Sequence, residues 1–97
     1  MNNVMEKMLI ELEKTLTEIH DDIVNKATPA TYVSGGFDKL VDECFDSENG
    51  MKLNILIEQI GEDRAEDYLK ILDKCNKRYE EALTKKLFNC FAPNERE

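Results

Sequence analysis

The sequence predicts an all-α protein, a small helical bundle. Three observations predict it. Charged residues make up 35% of the chain and hydrophobic ones 41%, with four Gly, two Pro and no Trp, a balance that suits charged helices better than strands or disorder. Apolar residues recur at spacings of four and three from Met5 to Ile23. The stretch from Glu62 to Phe91 carries a second apolar stripe, with acids at its start and bases near its end, as a helix dipole favours. At 97 residues the chain is one domain with a thin core. That domain is expected over residues 1–91, with 92–97, which hold Pro93 and mixed charge, as a flexible C-terminal tail.

The first helix is expected over about 3–26. Asn3 can cap it while Glu6, three positions on, reaches back in the manner of a capping box. Met5, Leu9, Leu12, Leu16, Ile19 and Ile23 form its stripe, which stops before Thr28-Pro29 because proline disfavours helical geometry in the residue before it. With Leu9, Leu16 and Ile23 as a positions, the e positions are Glu6, Glu13 and His20 and the g positions Met8, Thr15 and Asp22. These offer no consistent charge pairing, so the stripe reads as one side of an intramolecular bundle rather than as a dimeric coiled coil. His20, on a partly polar face, is expected exposed or half-buried.

Residues 27–36 combine proline, hydroxyl residues and Gly35-Gly36, and read as one long loop that serves as a hinge rather than an anion cradle. Phe37, Leu40, Val41, Cys44 and Phe45 then follow helical spacing, giving a short helix over about 36–46 that ends in the turn-forming run Asp46–Gly50. Residues 51–60 fit both a strand, through Leu53, Ile55 and Ile57, and a helix, through Leu53, Leu56, Ile57 and Ile60. Helix is preferred, because a lone strand has no partner here and Gly61 suits the position just past a helix end. The last helix is expected over about 62–91, with Ala65, Tyr68, Leu69, Leu72, Cys75, Tyr79, Ala82, Leu83, Leu87 and Cys90 on its stripe. Glu66 with Lys70, Asp73 with Lys77 and Glu81 with Lys85 are favourably ordered pairs along it.

Charge is distributed unevenly. Asp38, Asp42, Glu43, Asp46, Glu48, Glu58, Glu62, Asp63, Glu66 and Asp67 stand against Lys39, Lys52 and Arg64, a segment charge of −7 in a chain of −8. Such a concentration repels itself unless it faces solvent or a cationic partner. These ten carboxylates are the candidate partner-binding surface. Those of Glu62 to Asp67 have a local reason, since they open the last helix; Asp42, Glu43, Asp46 and Glu48 do not.

Other chemistries lack their residues. A calcium loop starting at Asp46 would put Met51 where the sharp-turn glycine belongs and Ile57 where the bidentate glutamate belongs, and one starting at Asp42 would put Ser47 and Leu53 there. His20 is the only histidine and no two cysteines are closely spaced, so no metal site is expected. Cys44, Cys75 and Cys90 lie on or beside apolar stripes as free, core-filling thiols. No catalytic residue, cofactor or small-molecule pocket is expected, and the chain is not read as an enzyme. The opening Met1–Glu6 lacks the basic and apolar stretches of a secretory leader, and no segment is apolar enough to span a bilayer, so a cytoplasmic location without membrane attachment is expected.

The functional expectation is therefore a small acidic interaction protein that binds a basic surface of a macromolecular partner, as a regulator, inhibitor or nucleic-acid mimic of the type viruses direct against host machinery. Two alternatives stand beside it. Lys70, Lys74, Lys77, Arg78, Lys85 and Lys86 give the last helix +3 between Lys70 and Lys86, a basis for nucleic-acid binding weakened by the interleaved Asp73, Glu80 and Glu81. Leu87, Phe88 and Phe91 spread too far around a helix to share one face, which marks a possible oligomer interface and a homodimeric adaptor bundle.

Overall fold

The computed structural model describes residues 3–91, without the side chains of Asn3, Asp63, Asn89, Cys90 and Phe91. The capping role of Asn3, the acid Asp63, the interface residue Phe91, the stripe residue Cys90 and the tail 92–97 thus lie outside the described residues. Within them the chain forms α1 (Asn3–Lys26), α2 (Pro29–Val33), α3 (Phe37–Phe45), α4 (Glu48–Ile60), a 3-10 turn (Glu62–Arg64) and α5 (Ala65–Phe91). It is an all-α bundle of two long helices with shorter ones between them.

Side-chain bridges fix the directions of the helices. Glu6 meets Arg64, Glu13 meets Lys74 at 2.9 Å, Thr17 meets Arg78 at 2.8 Å, and the carbonyls of Val24 and Asn25 accept from the Lys86 ammonium. Contacts that advance together along both chains mean that α1 and α5 run parallel. Between them α4 is the return stroke: its start lies beside Asp22 and Asn25, and Lys52 reaches Glu11 at 2.9 Å farther down α1. The Lys52 ammonium also holds the Glu11 carboxyl below its usual range. Arg64 fastens the bottom corner by bonding both Glu6 and Asp67.

Both α4 and α5 pack chiefly on α1 and touch each other little, while α3 covers the upper part of α1. The Cα radius of gyration, 15.8 Å, exceeds the roughly 12.5 Å of an average domain of this length, and the molecule measures 55 × 27 × 16 Å. It is long and thin, with α1 as its spine. Leu9, Leu12, Leu16, Ile19 and Ile23 are buried as the periodicity predicts, joined by Leu53, Leu56 and Ile60 of α4 and by Cys44 and Cys75. Each such aliphatic side chain contributes about 1.5–3 kcal/mol by leaving water. Ala27, Leu83 and Leu87 form a second, smaller cluster at the upper end.

Four expectations need correction. The segment 27–36 is not one long loop, because Thr28 takes an extended conformation, its hydroxyl accepts from the Thr31 amide, and Pro29 starts the five-residue α2. Gly35 then turns the chain with φ of 84°. Next, α4 begins at Glu48, not Met51: Ser47 caps it through the Gly50 amide, so the turn-like run Glu48-Asn49-Gly50 is its first turn. Leu69, placed on the buried stripe of the last helix, is 54% exposed, since α4 does not close over that side of α5. Finally, His20 is buried, 7% exposed, with its ring stacked on Tyr79 at 4.2 Å. An e position is exposed in a two-stranded seam; here a third helix covers it.

Candidate functional site

The short α3 is amphipathic. Phe37, Leu40, Val41 and Cys44 face the bundle, which leaves Asp38, Lys39, Asp42, Glu43 and, just past its end, Asp46 in solvent. Two anchors set the angle of this face. The Cys44 thiol donates to an Asp22 carboxylate oxygen at 3.4 Å, and the Ser47 hydroxyl donates to the Cys44 carbonyl at 2.7 Å while accepting from the Gly50 amide. Burial, then Asp22, pushes the Cys44 thiol up from its ordinary range, so it stays a protonated donor.

Gly50 lets the α3–α4 corner close. A Cβ there would fall on the backbone carbonyl of Phe45, which places the two helix ends nearer than any other residue permits. Against this corner α1 presents Glu18, Asp21 and Asp22, and the two surfaces bound an acidic cleft of about 340 Å3 whose other walls include Asn25, Cys44, Ser47 and Asn49. Lys26 is the nearest base described, paired with Asp22 at 3.3 Å.

Nine of the ten predicted carboxylates, all but Asp63, are described, and they fall into two groups. Asp38, Asp42, Glu43, Asp46 and Glu48 lie on α3 and the corner. Glu62, Glu66 and Asp67 lie at the other end of α4, roughly 20 Å away for a helix of 13 residues, with Glu58 in its last turn. Asp67 is engaged with Arg64; the ion pairs among the described residues leave Asp38, Asp42, Glu43, Asp46, Glu48, Glu58, Glu62 and Glu66 to solvent. Glu18, Asp21 and Asp22, missed by the sequence reading, are brought by tertiary packing to the corner that carries the first group, where they share a cleft with Ser47 and Asn49. Only their outward position on α1 hinted at it.

Helix polarity separates these residues further. Asp38 and Glu48 sit in first turns, where negative charge is favoured, whereas Asp42, Glu43 and Asp46 gather at the C-terminal end of α3, whose last turn has no base. Each such carboxylate costs about a few tenths of a kcal/mol against the helix dipole.

The bases of α5 are largely spoken for: Lys74 with Glu13, Lys77 with Asp73 at 3.4 Å, Arg78 with Thr17, and Lys86 on the carbonyls that end α1. At the end of α5, Leu87 is 8% exposed and belongs to the upper core, a correction to its place in a possible interface: it packs with Ala27 and Leu83 under α2. Phe88, one residue on, points out at 59% exposure.

Concavities of several hundred Å3 do exist, contrary to the expectation for so small a bundle. The largest are open troughs, about 530 Å3 beside Ile10, Thr17 and Arg78 and about 500 Å3 along Lys77, Glu81 and Phe88. Cys44 and Cys75 are buried free thiols, and no metal-holding group of His, Cys, Asp and Glu is found among the described residues. Nor is any described helix long and apolar enough to cross a membrane. No protein-family model, curated protein or solved structure matches this chain.

Proposed function

We propose that this chain is an acidic interaction protein whose α3 face and α3–α4 corner dock a basic surface of a protein partner. The observation that carries this reading is the meeting of two elements at one cleft: Glu18, Asp21 and Asp22 of α1 line it together with Cys44, Ser47 and Asn49 of the corner, and the exposed acids Asp46 and Glu48 flank Ser47 in the chain. Its volume of about 340 Å3 has room for a lysine or arginine side chain, with Asn25, Asn49 and Ser47 to orient the head group. The misplaced charge at the end of α3 supports the same reading, since a cationic partner would relieve the repulsion that the fold alone sustains.

The test is capture of a partner from a cell extract by immobilised protein, comparing the natural chain with the triple variant Asp42→Asn, Glu43→Gln, Asp46→Asn. The partner is expected to be basic, to be lost by the variant, and to bind more weakly as salt rises. Equal capture by both proteins, or an affinity indifferent to ionic strength, would reject the proposal.

A further inference from the structure

His20 stands where three helices meet. Its imidazole stacks on Tyr79 of α5, 4.2 Å between ring centres and 20° from parallel, and meets Phe45 of α3 edge-on at 6.5 Å. Beside it lies a cavity of about 60 Å3 bounded by Thr17, Asp21, Val24, Cys75, Arg78 and Tyr79, enough for one or two waters and so a route for a proton. We propose that His20 is a proton-operated latch: neutral, it holds the upper parts of α3 and α5 against α1; protonated, it leaves the stack and frees them.

The surroundings favour the neutral ring. Asp21, from its own helix, attracts a proton; from α5 the Arg78 guanidinium repels one and Tyr79 offers its ring; from α3 come Phe45 and the Cys44 thiol, which acts on Tyr79. The Tyr79 phenol is itself pushed up by burial, so it stays neutral. Burial dominates at His20 and, with Arg78, outweighs Asp21, so its pKa lies below the ordinary 6.5. Above pH 6.5 the latch is fully closed. As pH falls below that value the opened form takes up the proton that the closed form refuses, and opening grows by up to ~tenfold per pH unit until the closed-state pKa is reached. This property belongs to the fold and stands whether or not α3 docks a partner.

The chain has one histidine, so its ring resonances can be followed by NMR without ambiguity. Hydrogen exchange of the backbone amides, corrected for intrinsic rate, is measured in parallel from pH 7.5 to 5. The expected result is a ring midpoint below 6.5, with opening of α3 and of α5 around Tyr79 increasing with acidity ahead of the lower contacts of Leu12, Leu53 and Ile60. Arg78→Gln, at an exposed position, should raise the midpoint and shrink the acid-induced increase in opening, and Asp21→Asn should lower the midpoint and enlarge that increase. His20→Phe, which cannot take a proton, should abolish the dependence; if it does not fold, the two charge variants decide. A midpoint at or above 6.5, acid-induced opening that does not grow as the midpoint falls across those variants, or a simultaneous loss of protection in every helix would overturn the latch.

Discussion

Replacing Gly50 by alanine sets two physical effects of opposite sign against each other. By helix propensity alone the substitution should help, since Gly50 lies within α4 and alanine is favoured over glycine there by about 1 kcal/mol. The packing says otherwise. The new methyl would land on the Phe45 carbonyl and 3.0 Å from the Phe45 Cα, all backbone atoms that cannot rotate away. Restoring an ordinary separation of ~3.5 Å requires the ends of α3 and α4 to part by more than ~1 Å. Overpacking of this sort costs about 1–3 kcal/mol, and the same movement breaks the Ser47 cap, a further loss of about 1 kcal/mol. After the propensity gain the net destabilisation is about 1–3 kcal/mol, out of a total of order 5–15 kcal/mol for a domain of this size. Thermal unfolding followed by circular dichroism should show Tm lowered by about 5–20 °C. An unchanged or raised Tm would mean that the corner is not closed on Gly50 and that the geometry assigned to α3 is wrong.

Three further outcomes follow from the same packing. The triple neutralisation of Asp42, Glu43 and Asp46 should raise Tm by a few degrees, about 1 kcal/mol in all, in the protein that loses its partner; a lowered Tm would show those carboxylates to be structural. Leu12→Ala, at a site with no exposure, should cost about 2–5 kcal/mol by denaturant titration, and a loss under 1 kcal/mol would deny α1 its place as the spine. Leu87→Ala should destabilise by about 2 kcal/mol or more while Phe88→Ala stays within about 0.5 kcal/mol; if light scattering shows that Phe88→Ala dissociates a dimer, the exposed ring is an interface after all.

The helices were legible wherever a local rule decided them. The stripe of α1, the amphipathic α3 and the helical preference for 51–60 follow from spacing, which folding preserves. What was not legible depended on neighbours. Asn49-Gly50 reads as a turn in sequence, and only the approach of Phe45 reveals a glycine required inside a helix. The partly polar face on which His20 lies suggests exposure, whereas α3 and α5 both pack against it. Thr28 as a cap with Pro29 behind it is a local signal too, but the same proline also ends α1, and that role hides the start of α2. The acidic segment was legible as charge but not as surface: the nine described carboxylates, close in sequence, become two groups separated by the length of α4, and the cleft beside the α3–α4 corner takes its acids, Glu18, Asp21 and Asp22, from a helix about 20 residues earlier.

The α3–α4 corner is where stability and proposed function meet. Gly50, the Ser47 bonds and the Cys44–Asp22 contact fix the tilt of α3 from one side, and Phe45 against His20 fixes it from the other. The same carboxylate of Asp22 that receives the Cys44 thiol also lines the acidic cleft and holds Lys26. A basic group entering the cleft would therefore compete with Lys26 for Asp22 and press on the anchor of α3, so binding and corner geometry are coupled through one side chain. Asp22→Asn separates these roles. It keeps an acceptor for the thiol but removes the charge, so it should weaken capture of a basic partner while leaving hydrogen-exchange protection of α3 nearly intact; loss of both together would place Asp22 in the scaffold alone.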